Sequence, residues 1–385
     1  MEKSHKKNNI VLHLDPRGVI LSGGKDVIER QKKYARNLTV SRGETGLTLN
    51  VFSASTSHIF QKDIKSNFEL NTLSKPNLNL FLFVLKSVKY CSEKKLNVKL
   101  IIVGDPWESL LCAKIIRIIL FKFVPIQVHI HADIGDPVWA KLSWRNRLRS
   151  WWAKCSLKRV DAIRTVGIHQ TWNIINTFNV DKSKISTIPV PIDTKYLTRL
   201  NINSRRNSIA FIGRLHQDRG ISMFLELITI LKTNRKDFEL LVVGSGPEVE
   251  KLLHKINTLF PHKEFTYFGQ LTNQELKKLW SKIGILVSTS PVESYGRVMR
   301  EALVAGVPVW ATKSSGVKDL ISKAGKDAVK ILDLSKSRHK LCKELDQLLK
   351  TKVPLNVRKQ LKKENSTYAQ QLANSWLDLI NKQKP

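Results

Sequence analysis

Residues 285–312 read ILVSTSPVESYGRVMREALVAGVPVWAT, and the order of residue types in that stretch decides the fold. The apolar run at 285–288 is short and suits a buried strand. Residues 297–305 are helix-like, and 307–311 is a second short apolar run. Strand, loop, helix and strand in succession form a crossover unit, which joins parallel strands. Outward from this unit the same alternation continues. Strand-like runs recur at 209–212, 240–243 and 265–268, with helical patterns at 221–233, 249–260 and 273–282. The first half repeats the scheme. Strands are expected at 10–14, 47–51, 99–103 and 127–131, with helices at 27–41 and 78–90. The expected class is therefore α/β, with two doubly wound Rossmann-like domains of parallel sheet covered by helices.

The boundary falls near 195–207. Ile188-Pro189-Val190-Pro191 cannot continue a helix, and 200–207 is polar before a fresh strand begins. This gives domains at 1–195 and 196–365, followed by a closing segment at 366–385. Ligands of such sheets bind beyond the carboxyl ends of the strands. Two facing sheets would place a site in the cleft between them.

Composition narrows the class. The chain of 385 residues is 42% hydrophobic and 25% charged, with only 18 Gly and 13 Pro, which excludes a disordered, collagenous or coiled-coil chain. The net charge is +33, with +18 in residues 1–200 and +15 in 201–385, so the whole body is basic. Anionic partners are expected: phosphorylated ligands, lipid headgroups or nucleic acid. Cys91, Cys112, Cys155 and Cys342 stand apart, as in a protein of a reducing cytoplasm, and form neither a disulfide framework nor a structural zinc pattern. The first apolar run, 10–14, is too short for a signal peptide. The most apolar stretch, 115–126, is broken by Arg117, Lys122 and Pro125. No transmembrane segment is expected, and any membrane would be met from its surface.

Five short constellations carry the candidate chemistry. Gly213-Arg214-Leu215 leads to Arg219-Gly220 in a strand-to-helix loop. Two guanidiniums five residues apart suit a diphosphate, though solvated surface arginines have the same pattern. Val243-Gly244-Ser245-Gly246-Pro247 is most simply a turn. Glu293-Ser294-Tyr295-Gly296 precedes a helix whose free amides suit an anion, and Glu301 follows on that helix. The plainer reading of these acids is one favouring the helix dipole and one solvated. His129 and His131 face one way on a strand that closes with Ala132-Asp133. The H-x-H spacing suits a metal, but no third ligand follows and no D-x-D motif is present. No metal or other cofactor is expected. Gly23-Gly24 follows the first strand and would admit a bulky ligand, or merely turn the chain.

Taken together, these segments resemble the retaining glycosyltransferases of family 4, which have the two-domain GT-B architecture. The resemblance covers nearly the whole chain and is strongest from 209 to 325. It implies that Gly213, Arg214 and Arg219 meet a donor diphosphate, although the family usually has Lys at the position of Arg219. It implies that Glu293 contacts the donor sugar and Glu301 the nucleoside ribose, as the family's paired acids do. Ser294, Tyr295 and Gly296 join that donor loop, with Tyr295 where the family has Phe. Glu301-Ala302, Gly306 and Pro308 keep the family pattern, whereas Ser315-Gly316-Val317-Lys318-Asp319 alters both ends of a Gly-Gly-x-x-Glu segment. Gly23-Gly24 resembles a glycine pair near the donor phosphates, and His131-Ala132-Asp133 a His-Gly-Asp that lines the sugar site. Residues 368–380 resemble a helix that crosses back to the first domain.

The implied activity is sugar transfer from a nucleotide-diphosphate donor to a hydroxyl of a glycan or lipid-linked acceptor, with the anomeric configuration retained. Polysaccharide or lipopolysaccharide assembly at the cell surface is the family context. The implied catalytic set is Glu293, His131, Arg214 and Arg219. Residues 141–159 hold seven basic residues and no acid, with Trp144, Leu148, Trp151, Trp152 and Cys155 at helical spacing. This segment is either a helix with core tryptophans or an amphipathic helix for an anionic membrane. The second would place the protein at the inner face of the plasma membrane. A different class stays open: an inactive protein of this fold that binds nucleic acid or a partner. No helix-turn-helix, RRM or zinc-finger pattern supports nucleic acid.

Overall fold

The computed structural model describes residues 9–22, 25–40, 47–74, 80–192, 194, 197, 207–234, 238–260 and 264–382. The chain divides into two compact units. The first comprises 1–166, 171–188 and 367–385; the second comprises 167–170 and 189–366.

Unit 1 holds an eight-stranded sheet: β1 (Asn9–Asp15), β2 (Leu47–Ala54), β3 (Phe60–Asp63), β4 (Phe68–Ser74), β5 (Asn97–Val103), β6 (Ile126–His129), β7 (Ala162–Thr165) and β8 (Ile185–Thr187). Their order is β3-β4-β2-β1-β5-β6-β7-β8. All neighbours are parallel except β3 and β4. That hairpin departs from the parallel pattern because only the turn Ile64–Ser66 and Asn67 separate the strands, too little chain for a crossover. The Asp63 side chain accepts from the Ser66 amide at 3.2 Å, and Asn67 takes the left-handed conformation. The central strands are apolar on both faces, as a doubly covered sheet requires.

The helices of this unit are α1 (Val19–Ser22), α2 (Lys25–Val40), α3 (Leu80–Glu93), α4 (Glu108–Leu120), α5 (Pro137–Lys141), α6 (Trp144–Leu157) and α7 (Ile168–Phe178), which starts in unit 2. Leu12, Leu14, Ile101 and Val103 point to one face, where Phe83 and Val84 of α3, Ile116 of α4 and Leu157 of α6 cover them. Val11, Leu100 and Ile102 point to the other, beneath Tyr34 and Leu38 of α2.

Unit 2 holds β9 (Ser208–Ile212), β10 (Glu239–Val243), β11 (Phe265–Tyr267), β12 (Ile285–Ser288), β13 (Val309–Thr312) and β14 (Val329–Leu332). Their order is β11-β10-β9-β12-β13-β14, and every pair is parallel. Its helices are α8 (Ile221–Asn234), α9 (Val249–Leu259), α10 (Asn273–Trp280), α11 (Arg297–Ala305), α12 (Ser315–Ala328), α13 (Arg338–Lys350) and the start of α14 (Leu355–Asn381). The rest of α14 belongs to unit 1, where Leu372 and Trp376 join the core beneath α2. The chain runs outward from β9 to β11 and returns at β12, beside β9. That reversal opens a crevice at the carboxyl ends of β9 and β12. In unit 1 the reversal lies between β1 and β5.

Candidate functional site

The crevice of unit 2 is lined by the two loops that the sequence singled out. Gly213 ends β9. Its amide donates to the Val243 carbonyl at 3.0 Å, and the Leu215 amide to Ser245 at 2.9 Å. Gly244 and Gly246 are the backing of this loop: a Cβ on Gly244 would lie 1.8 Å from the Gly213 carbonyl oxygen. The second glycine motif is thus a scaffold for the first, as its reading as a turn implied. Gly220 closes the loop in the left-handed conformation (φ 68°), and a Cβ there would fall 2.0 Å from the Thr289 carbonyl oxygen. Only glycine satisfies both demands.

The arginines of this loop hold carboxylates. Arg214 is exposed and pairs with Asp218 at 3.1 Å. Arg219 is half-buried and donates to Glu293 at 2.8 Å, joining the ends of β9 and β12. The other oxygen of Glu293 accepts from the Gly296 amide at 3.0 Å, at the head of α11. The amide assigned from sequence to the donor phosphates is therefore engaged by the loop's own carboxylate, because a carboxylate three residues earlier reaches the orphan N–H of the helix start. Gly296 is left-handed (φ 73°), which turns the loop into that helix. Ser294 and Tyr295 are buried, and Glu301 is half-buried on α11. The Arg300 guanidinium lies 3.8 Å over the Tyr295 ring, 2% exposed, with Nε and Nη1 lacking a hydrogen-bond partner.

Two contacts made by the 315–319 segment were not read from sequence. The Gly316 amide donates to the Glu293 carbonyl at 2.7 Å, and a Cβ at Gly316 would press on Glu293 and Tyr295 at about 3 Å. Buried Asp319 accepts from the amides of Ile168 (2.9 Å) and His169 (3.1 Å) and from His169 Nδ1. It thereby fastens the start of α7. The partners lie 150 residues apart, so no local signal could reveal them.

In unit 1 the described residues exclude Gly23 and Gly24, and that expectation lies outside them. The turn just before them is held by Asp15, whose carboxylate accepts from the amides of Val19 (2.9 Å) and Ile20 (2.8 Å) and from Ser53 Oγ (2.8 Å). At the end of β6, His129 is buried. It bonds Gln127 at 2.9 Å and stacks on Trp376, which donates to the same Gln127 oxygen at 2.8 Å. His131 lies one strand step further, with its ring centroid 6.3 Å from that of His129 and an edge open to solvent. Asp133 is buried and accepts from Asn173 at 3.2 Å. Arg164, in the middle of β7, is also buried. It donates to the Ile188 carbonyl at 3.2 Å and approaches His129 Nδ1 at 3.5 Å. A lone arginine in a four-residue apolar strand was the sequence signal for it.

These groups set one another's protonation. Burial lowers the pKa of His129 well below the ordinary histidine value, helped by the charge of Arg164. Burial likewise lowers His13. Crowding by protein atoms, with the charges of Arg164 and Arg30, lowers His131, although its outer edge is wet. All three imidazoles are neutral at pH 7 and can accept or donate a hydrogen bond without charge. Among the described residues no group of three or more His, Cys, Asp or Glu could hold a metal ion. No helix among them is long and apolar enough to cross a membrane.

Residues 193–367 match the family model of glycosyl transferases group 1. An uncharacterized 41.2 kDa protein in the cps region of Klebsiella pneumoniae is 22% identical over 63% of this chain and 67% of its own. A GDP-mannose-dependent alpha-mannosyltransferase of Corynebacterium glutamicum is 29% identical over 30% of this chain, and that match spans only 25% of the mannosyltransferase. Among solved structures, sucrose-phosphate synthase from Thermosynechococcus elongatus superposes with a TM-score of 0.73 at 16% identity, over 97% of this chain and all of that one. The lipopolysaccharide outer core galactosyltransferase WaaB in its apo form gives 0.66 at 15% identity, over 98% of this chain and all of that one.

Proposed function

From a chain that is a glycosyltransferase of GT-B fold, with a group 1 domain at 193–367, we propose transfer of a sugar from a nucleotide-diphosphate donor to a hydroxyl, with retention. The observation that carries this reading is the Arg219–Glu293 pair at the carboxyl ends of β9 and β12, seated on the head of α11. It presents a cation and a carboxylate side by side at the crevice where such sheets bind ligands. An incoming diphosphate would compete with Glu293 for Arg219 and with Asp218 for Arg214. That contact frees Glu293 to hold sugar hydroxyls, while Glu301 orients the ribose.

In this reading the arginines carry the charge of the leaving diphosphate, and the chain uses no resident cofactor. The bond from the anomeric carbon to the phosphate oxygen breaks, and a bond to the acceptor oxygen forms on the same face. The acceptor proton passes to the departing phosphate oxygen. Neutral His131, in unit 1, is suited to orienting a hydroxyl without taking a charge. The acceptor is a glycan or a lipid-linked glycan in surface polysaccharide or lipopolysaccharide assembly, met at the inner face of the plasma membrane. The resemblance to WaaB in fold and the relative in a cps region support that context.

The test is thermal stabilisation by UDP, GDP, ADP and TDP, each with Arg214→Ala and Glu301→Ala variants beside the parent. One nucleotide at a hundred times its dissociation constant should stabilise the parent by about 2.7 kcal/mol, and the variants far less. Labelled sugar on that nucleotide then reports transfer and anomeric outcome. If no nucleotide shifts the melting curve, the donor reading fails.

A further inference from the structure

The outer surface of one helical layer of unit 1 is apolar where water should meet it. On α6, Trp144, Leu148 and Trp151 recur at intervals of four and three residues and form one stripe. Trp144 is 66% and Trp151 69% exposed, so they are not core residues; only Trp152 leans on the core. The inward face of α6 is Ala153, Ser156 and Leu157. On α4 the same division holds. Ala113 and Ile116 face the sheet, while Leu111, Ile115, Ile118 and Ile119 are exposed and Phe123 beyond the helix is 87% exposed. On α3, Phe81, Leu82 and Leu85 are exposed.

These three helices form one layer. All three cover the same face of the sheet. Helices α3 and α4 pack together. Arg149 of α6 pairs with Glu108 of α4 at 3.5 Å, and its carbonyl accepts from Trp107 Nε1 at 2.7 Å. Trp107 also stacks on Trp139 of α5 with ring centroids 5.9 Å apart. The layer is therefore a fixed platform, and its apolar residues lie on the outside of it.

The platform is ringed by cations. Its own acids are already engaged, Glu93 with Lys89 and Glu108 with Arg149. Lys86, Lys122, Arg145, Arg147 and Lys154 form no ion pair among the described residues, beside the engaged pairs of this layer. Burial, then the charges of Arg117 and Arg159, lower the pKa of Lys114 against the opposing charge of Asp161.

We propose that the outer face of α3, α4 and α6 is a docking surface for an anionic lipid bilayer, with the tryptophans and isoleucines entering the interface and the cations meeting the headgroups. A second copy of the chain would bring one cationic ring against another. A nucleic acid would meet the cations and leave Ile118, Ile119, Phe123 and Leu148 in water. A bilayer offers apolar depth and negative charge together over the whole of this face. The inference deepens the proposed function by placing the acceptor at a membrane, and it stands on a surface separate from the donor site.

The test is flotation of the full chain with vesicles of phosphatidylglycerol and phosphatidylcholine in equal parts, against phosphatidylcholine alone. Binding to the anionic vesicles should be at least roughly tenfold tighter, since each basic side chain near such a surface contributes about fivefold. It should weaken with salt. The Ile118→Ser/Ile119→Ser and Trp144→Ser/Trp151→Ser variants should each bind roughly tenfold more weakly, and the second should lose any blue shift of tryptophan emission on binding. All four side chains are exposed, so melting and nucleotide stabilisation should match the parent. Absent flotation, or variants that float like the parent, would overturn the proposal. So would single-stranded RNA binding, or dimers, abolished by these variants while vesicles are ignored. A parent that floats yet responds to no nucleotide would sink the donor reading and leave this surface standing.

Discussion

At the end of β12, Glu293 and Arg219 form an ion pair of 2.8 Å that stays partly open to water. At the end of β6, His129 and Arg164 lie 3.5 Å apart and are both buried, with Gln127 bonded to the other nitrogen of His129 and Trp376 stacked on its ring. Both places are carboxyl ends of parallel strands. In unit 2 the charges are paired by salt bridges that a charged ligand can exchange. In unit 1 burial lowers the pKa of the histidines, helped by the fixed charge of Arg164, and keeps them neutral. The first arrangement suits a phosphate that arrives and leaves. The second suits hydroxyl groups, which need hydrogen bonds without titration.

The largest effect should come from breaking the exchangeable pair. Arg219→Ala is expected to lower kcat by about a hundred- to a thousand-fold, by removing a donor aimed at developing charge. Its melting curve should change little, since a half-exposed pair contributes about 1 kcal/mol or less. Arg219→Lys should recover part of the rate. A rate unaffected by the alanine variant would leave the pair structural.

Next in size is the glycine frame. Gly220→Ala forces a Cβ onto the Thr289 carbonyl in a left-handed backbone, and should destabilise unit 2 by about 2–4 kcal/mol. Gly104→Ala, after β5 in unit 1, meets nothing within 4 Å and should be neutral by the same denaturation assay. Equal losses at the two sites would show that the loops are alike after all.

The smallest effect sharpens the other side. His13 and His129 have folded pKa values below their ordinary 6.5. The unfolded chain therefore binds more protons, and stability present above that value is lost as pH falls through and below it. Each histidine should cost up to about 1.4 kcal/mol per pH unit of acidification. Urea unfolding of unit 1 at about pH 7.5 and about pH 5.5 should show this slope, and His13→Gln/His129→Gln should flatten it. A slope unchanged by that variant would place the acid sensitivity elsewhere.

The strand ends of unit 2 were legible because their chemistry is local. Gly213, Gly220, Glu293 and Gly296 sit within a few residues of the turns they make, and turn geometry depends on near neighbours. The helix of α6 was legible too, from its 3.6-residue period, but not its orientation. Periodicity places Trp144, Leu148 and Trp151 on one face without saying whether that face meets core or solvent. The structure turns it outward, because Ala153 and Leu157 on the opposite face fill the space over the sheet. The β3–β4 hairpin was missed because β3 has only four residues and the turn lacks glycine.

By itself, the sequence determined the alternation of strand and helix, the loops where glycines turn the chain, and the basic surface. Each follows from residues close together or from a sum over all of them. Only the tertiary structure decided that Arg219 meets Glu293, that Asp319 holds the start of α7, that Arg164 lies under His129, and which side of α3, α4 and α6 is wet. Those contacts join residues 35 to 151 positions apart in the chain, or depend on which face packs against the sheet. They are fixed by the free energy of burying one surface rather than another.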